Sequence, residues 1–188
     1  MMAYKGFDLK LRGHGGFRFR PGKTYTEKEC KTARNGFHCA EYPFVCCSYF
    51  PVGGGNRFFM VEVGGDIDED EYERISATEM RLVKELTLRE FAGHGMMYMV
   101  DHPQRKWVRD EGGVTVRAEE AEAGAGRIAI ARGLHPRVRG QKGSILGLIL
   151  EEDGAIIAAR LFEAGKEAKP KTWYTVTKDG EVVPDDRD

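Results

Sequence analysis

The chain predicts an α+β fold in which short strands and tight turns dominate and helices are few. Three features carry that expectation. Glycine occurs 24 times in 188 residues, about twice the usual share of roughly 7%, in clusters ("RGHGGFRFRPG", "VGGG", "VGGD", "EAGAGR") that suit turns between short strands. Apolar and polar residues alternate with period two in several segments. Helix-start signals are confined to Pro43 and Thr87. The expected arrangement is an N-terminal mixed sheet with one or two short helices over residues 1–94, a small-residue connector over 95–135, and a C-terminal antiparallel β-hairpin unit over 136–184.

Taken in order, "AYKGFDLKLRG" and "GFRFRPGKTYT" alternate and are separated by Gly13, Gly15 and Gly16, which predicts two strands arranged as a hairpin. In "NGFHCAEYPFVCCSYF", Asn35-Gly36 predicts a turn, "FHCA" a brief strand, and Glu41 with Pro43 the start of a helix. "RFFMVEVGGDI" is rich in aromatic and β-branched residues and predicts a central strand ending in a Gly-Gly-Asp turn. The acidic run "DIDEDEYE" reads as a solvated loop; it lacks the glycine and terminal glutamate of a calcium loop. Met80, Val83, Leu86 and Leu88 fit neither period, after which "TLREFA" predicts a short helix capped by Thr87 and stopped by Gly93. Within the connector, "GGVTVRAEEAEAGAGRIAIARG" fits narrow strands, as in a rung or two of a solenoid, or a helix through "RAEEAEA". "GSILGLILEEDGAIIAARLFEAG" reads as two strands joined at Glu-Asp-Gly, and "TWYTVTKDGEVVP" repeats the pattern with its bend at Asp179-Gly180. Charge and proline in the final "PDDRD" argue against packing.

With 29 basic and 30 acidic residues the net charge is -1, so no global field draws the chain to long nucleic acid or an anionic membrane. The longest apolar runs fall short of the roughly 20 residues a membrane span requires. The segment "MMAYKGFDLKLRG" has no apolar secretion signal, and the expectation is a cytoplasmic protein with free thiols.

Cys30, His38, Cys39, Cys46 and Cys47 are soft donors suited to zinc, but the close cysteine pairs of structural zinc sites are absent. A thiol nucleophile requires a base and a lowered pKa, and neighbours such as His38 and Cys39 on a strand face opposite sides. "RPGKTY" ends like a phosphate loop, yet Phe17 stands where its first glycine belongs. No metal, cofactor or catalytic residue is therefore predicted. The remaining reading is a binding cleft. Tyr4, Lys5, Arg12, Arg18 and Arg20 from the first strands, with Phe37, His38, Glu41 and Tyr49 from the cysteine-rich stretch, make a cationic, aromatic set. Guanidinium groups fork onto phosphate and rings stack on a base, so the set suits a small nucleotide. Trp173 and Tyr174 suit core packing or a subunit interface, and a homo-oligomer is compatible with them. His14, His94, His102 and His135 stand beside glycine or proline and read as exposed loop residues.

"YKGFD", "GKTY", "NGFHCAEYP" and "RFFMVEVGGDI" together resemble an uncharacterised domain family common in bacteriophage and prophage genomes. "HPRVRGQKGSILGLILEEDG", "KPKTWYTV" and "DGEVV" are similar to the closing part of many of those proteins. The likeness spans roughly the first 90 and the last 55 residues. Relatives commonly carry small-residue repeats between these ends; here residues 113 to 135 hold only a short stretch, so a long solenoid is not expected. "NGFHCAEYPFVCCSYF" also resembles, more weakly, the segment of ADP-ribosyltransferases that packs around the nicotinamide end of NAD. That likeness implies a cleft opened near Tyr4 and Gly6 and an orienting glutamate, for which Glu62 and Glu85 are the candidates.

The resemblances and the residue set lead to an expectation of a phage-encoded protein that sequesters a small nucleotide, a cyclic oligonucleotide or an ADP-ribose derivative serving as a host immune signal. The alternatives are an NAD-using ADP-ribosyltransferase and a virion or structural accessory protein.

Overall fold

A computed structural model describes residues 1–70 and 74–187, which form two units, Met1–Thr87 and Leu88–Asp188. The fold class is α+β and mostly β, with antiparallel strand pairs at the C-terminus.

The first unit holds β1 (Met2–Phe7), β2 (Thr24–Thr26), β3 (Phe37–Ala40), a 3-10 helix (Pro43–Ser48), β4 (Arg57–Glu69) and β5 (Arg74–Leu86). Its five strands run in the order β2, β5, β3, β1, β4, all pairings antiparallel. Since β4 also pairs with β5, the sheet closes on itself. Closure gives β1, β3, β4 and β5 two neighbours each within the ring and leaves β2 as an edge paired, among the described residues, with β5 alone. Ala3, Phe7, Phe19, Tyr25, Phe37, Cys39, Phe59, Val61, Val63, Ile75, Ala77, Met80 and Leu82 fill its interior.

Several expectations are corrected here. The first expected strand stops at Phe7, because Asp8 folds the chain over: its Oδ1 accepts the backbone N–H of Lys10 and of Arg12, both at 2.8 Å. β1 pairs with β3 and β4, not with β2; the turn back expected across Gly13, Gly15 and Gly16 is present in short form, as an antiparallel bridge between Arg12 and Arg18 with the Phe19 N–H donating to the Leu11 carbonyl at 2.8 Å. Gly64-Gly65-Asp66 is a bulge inside β4, not a turn ending it: the register with β5 shifts between Gly64 and Ile67, and the Asp66 N–H donates to Thr78 Oγ1 at 2.8 Å. The stretch containing Met80, Val83 and Leu86, which fits neither period, is the long strand β5. Part of the acidic run, residues 71–73, lies outside the described residues. Within the rest, Asp68 accepts hydrogen bonds from Lys31 Nζ at 2.7 Å and from the Thr32 N–H and hydroxyl at 2.7 and 2.6 Å. These bonds hold its carboxyl well below the usual carboxylate range.

The second unit holds α1 (Leu88–Asp101), β6 (Arg109–Glu111), β7 (Val114–Ala123), β8 (Ile128–Gly140), β9 (Ile145–Glu152), β10 (Ala155–Glu163), β11 (Tyr174–Val176) and β12 (Val182–Pro184). Helix α1 begins after Thr87 as expected but runs through Gly93. A mid-helix glycine costs about 1 kcal/mol, which burial of Phe91, Ala92, Met96, Tyr98 and Met99 outweighs. "RAEEAEA" is strand, not helix, and residues 109–135 belong to the same seven-stranded sheet as the C-terminal strands. Strands β7, β8 and β9 pair in parallel, Val114 with Ile128 and Ile128 with Ile145, so the chain winds as a short coil of solenoid type. Residues 128–131 of β8 and 145–150 of β9 are buried at every position and so on both faces, which is why "RIAIA" and "SILGLIL" are nearly continuous apolar runs.

Three details fix this unit. Arg132, 2% exposed, pairs with Glu151 at 2.6 Å, donates to the Pro103 carbonyl and lies over the Trp107 ring. Trp173 is covered by the guanidinium groups of Arg137 and Arg139 at 4.7 and 4.5 Å, and these pair with Glu120 and Glu122 across β7 and β8. The C-terminal tail is held, contrary to the compositional expectation: Asp185 pairs with Arg187 at 2.6 Å, and Arg187 donates to the His135 carbonyl.

Gly36 sets the entry to β3. Its φ is +85°, and an added Cβ would fall 2.5 Å from Ser76 Oγ and 2.7 Å from the Cys30 Cβ. Gly36→Ala is expected to destabilise the protein by about 2 kcal/mol, whereas Gly16→Ala, where φ is +81° but nothing lies within 4 Å, has the smaller effect. Urea unfolding of the two variants measures the difference.

Candidate functional site

A cavity of about 600 Å³ opens in the first unit. It is built where β1, β3, the 3-10 helix and the loop between β1 and β2 meet. Two glycines make the approach possible. At Gly6 an added Cβ would lie 2.8 Å from the Phe50 ring, so only glycine lets that ring close onto β1. Gly36 brings β3 against β5, where Ser76 Oγ donates to the Asn35 carbonyl at 2.5 Å. These contacts explain "YKGF" and "NGF" physically: each glycine stands where another element passes at van der Waals distance.

Phe17, Phe19, Phe37, Tyr49 and Phe50 supply rings to the wall. Phe19 packs edge-on against Phe17 and Phe37 at 4.8 and 6.1 Å, and His14 against Tyr49 at 5.3 Å. Among the described residues the charged side chains on the wall are Lys5, Arg34, Arg74 and Glu27. Arg74 pairs with Asp70 at 2.6 Å and donates to the Tyr49 hydroxyl at 3.4 Å. Arg34 is exposed at the cavity.

Of the residues expected from sequence, Lys5, Phe37, His38 and Tyr49 line this cavity. Tyr4, Arg12, Arg18, Arg20 and Glu41 do not. Arg12 is exposed and pairs with Asp8 at 2.7 Å; Arg18 and Arg20 are exposed; Tyr4 is half-buried on β1 and its hydroxyl is pushed up by burial. The wall residues that sequence reasoning passed over are His14, Phe17, Phe19, Glu27, Arg34 and Arg74. His14 and Phe17 sit in the glycine-rich loop, whose bridge between Arg12 and Arg18 folds it back on itself. Arg74 lies far along the chain and reaches the wall because β5 pairs with β3, Arg74 opposite Ala40.

Lys5 has the least ordinary position. Alternation along β1 puts it on the inward face with Ala3 and Phe7, both fully buried. Its ammonium donates to the His38 carbonyl and stands 5.8 Å from the ring centres of Phe7 and Phe19. Among the described residues no carboxylate pairs with it. Burial lowers its pKa from the ordinary lysine value, the ring faces and the carbonyl offsetting only part of the lost hydration. His38 is lowered too, first by burial and then by the charge of Lys5, and its Nε2 is buried without a partner.

The cysteines play no such part. Cys39, Cys46 and Cys47 are buried, and burial pushes the thiols of Cys39 and Cys46 up to about 12. Among the described residues no three His, Cys, Asp or Glu side chains converge as a metal site.

A family model described as Domain of unknown function (DUF7666) matches residues 1–94, half of the chain. The chain belongs to that family. The match to the DUF7666 model covers every element of the first unit, the cavity included, and extends into α1. No curated protein and no solved structure matches the chain. No helix among the described residues is long and apolar enough to cross a membrane.

Two expectations follow from the burial pattern. At neutral pH an alkylating reagent labels Cys30, which is part-exposed and hydrogen-bonded to the Asp66 carbonyl, while Cys39 and Cys46 stay unlabelled until the protein unfolds; peptide mass spectrometry reads the order. The second concerns Lys5→Met. The folded state releases the lysine proton more readily than the unfolded chain, so wild-type stability rises with pH as the folded pKa is passed on the way to about 10.5. The methionine variant is expected to lose that slope and to be more stable at pH 7 by about 1 kcal/mol, as measured by urea unfolding.

Proposed function

We propose that the first unit binds a small nucleotide and holds it without chemical turnover. The observation that carries this reading is the combination of rings with Lys5, Arg34 and Arg74 on one cavity wall of about 600 Å³, within the usual size of small-molecule sites. Rings accept a base by stacking. The exposed Arg34 guanidinium can donate paired N–H bonds to phosphate oxygens, which an ammonium cannot, and Arg74, held by Asp70 and Tyr49, adds a positioned positive group on the same wall. Among the described residues Glu27 is the one carboxylate on the wall, so an anion entering the cavity meets a mostly cationic lining.

The transferase alternative draws less support. Glu62 pairs with Arg81 at 2.6 Å and Glu85 with Arg57 at 2.5 Å, and neither lines the cavity. Nucleophilic thiol chemistry is disfavoured by the raised thiols. The sequence resemblance to phage-borne proteins supports a host signalling nucleotide as the ligand, a cyclic oligonucleotide or an ADP-ribose derivative, and stoichiometric capture as the mode of action. Capture of this kind requires only a preorganised site, not a reacting one.

Thermal unfolding with ADP-ribose and with cyclic dinucleotides tests the reading. A bound nucleotide is expected to stabilise the protein by about 2.7 kcal/mol at a hundredfold excess over its dissociation constant, and chromatography after denaturation to return it intact. Arg74→Ala and Arg34→Ala are expected to weaken binding about tenfold each, as befits loss of a charge-assisted contact. Release of nicotinamide from NAD, or no stabilisation by any nucleotide at millimolar concentration, would contradict it.

A further inference from the structure

We propose that the Lys5 amine forms a reversible imine with the free aldehyde of a nucleotide that carries a reducing sugar, which selects ADP-ribose-like compounds over nucleotides without a carbonyl group. The inference rests on the nucleotide reading of the cavity and narrows its ligand class.

Its basis is position. Lys5 is a half-buried, inward residue of a closed sheet, between Ala3 and Phe7, on a strand whose other inward side chains are apolar. Lysine is almost never taken out of water without a charged partner; among the described residues no carboxylate pairs with Lys5. It nonetheless reaches the cavity wall, so a ligand in the cavity meets it. One N–H is given to the His38 carbonyl, and the flanking rings of Phe7 and Phe19 restrict the remaining directions. In the neutral amine that leaves the lone pair for the cavity. The neighbouring thiols of Cys39 and Cys46 are protonated and do not compete for the carbonyl. Burial raises the share of neutral amine at physiological pH.

The step balances without an oxidant or reductant. The nitrogen lone pair attacks the aldehyde carbon of the open-chain sugar, and a C–N bond forms as the C=O π pair takes up a proton. The nitrogen loses one proton as the oxygen gains one, giving a carbinolamine; the hydroxyl then takes up a second proton and leaves as water while the C=N bond closes and the nitrogen gives up its second proton, so one amine and one aldehyde give one imine and one water. The base and diphosphate remain outside the step, on the rings and on Arg34 and Arg74.

The experiment compares ADP-ribose with ADP, which has the same base and diphosphate but no aldehyde, on the full-length protein at pH 7.5. Sodium cyanoborohydride reduces any imine to a stable amine, and peptide mass spectrometry finds the labelled lysine. Lys5 is expected to be labelled about tenfold faster than the exposed Lys23 and Lys28, because only Lys5 meets a sugar held in the cavity, and excess ADP is expected to suppress the label. Stabilisation by both ADP and ADP-ribose with no preferential label at Lys5 overturns the imine while leaving the nucleotide reading intact. Neither stabilisation nor label overturns both. Labelling of Lys5 that excess ADP does not suppress also overturns the proposal, since it would show a reactive lysine unconnected with a nucleotide site.

Discussion

An unpaired lysine on the inner face of a closed sheet is the constraint around which the first unit is arranged. Closure of β1, β3, β4 and β5 into a ring leaves each strand one inward face, and period two puts Lys5 there, half-buried at the cavity wall. The surroundings soften the consequence without removing it: a backbone carbonyl from His38, two ring faces, and a cavity through which water or an anion reaches the ammonium. A methionine of similar length would fill the same place with no desolvation. A residue that works against folding in this way belongs to the class of positions that proteins retain for function.

The cavity follows from the same ring. Gly6 admits the Phe50 ring to the strand that carries Lys5, and Gly36 admits β3 to Ser76. The aromatic side chains between them leave a space that they line but do not fill. Cations arrive from three separate stretches, β1, the loop before β3, and the start of β5, which is why the site has no compact signature. The second unit is organised differently. Its parallel coil is packed with alanine, as at Ala121, Ala123, Ala129 and Ala131, because strands wound this closely leave little interior width. On its flank, arginine and glutamate residues pair across strands and close over Trp173. That ring is thereby occupied by its own chain.

Local chemistry was legible wherever it acted alone. Pro43 opens a 3-10 helix, "FHCA" is a strand, and Asp153-Gly154 and Asp179-Gly180 join strands as their turn residues require. What escaped was decided by partners distant in the chain. The aspartate of "GFD" reads as part of an alternating run, yet its carboxylate captures Arg12 and ends the strand. Gly64-Gly65 looks like a turn, but β4 continues through it as a bulge because its pairing with β5 resumes at Ile67. Four residues of the expected site share the cavity. The arginines of the first loop do not, because closeness in sequence to the wall residues does not bring them to it, whereas Arg74 reaches the wall through strand pairing. The polar C-terminal tail was misread for the same reason: its aspartate has a partner two residues on, and that partner reaches the His135 carbonyl.

The claim on which the account rests is that Lys5 sits inside the protein without a counter-charge. Titration of its side chain by NMR, with lysine labelled at the ε-carbon and the signal assigned by comparison with Lys5→Met, measures this directly. The account predicts a midpoint below the ordinary lysine value of 10.5 in the ligand-free protein, rising when an anionic nucleotide such as ADP enters the cavity. A midpoint at the ordinary value, unchanged by ligand, would show a lysine that is hydrated and outward-facing, and would remove the foundation of the proposed site.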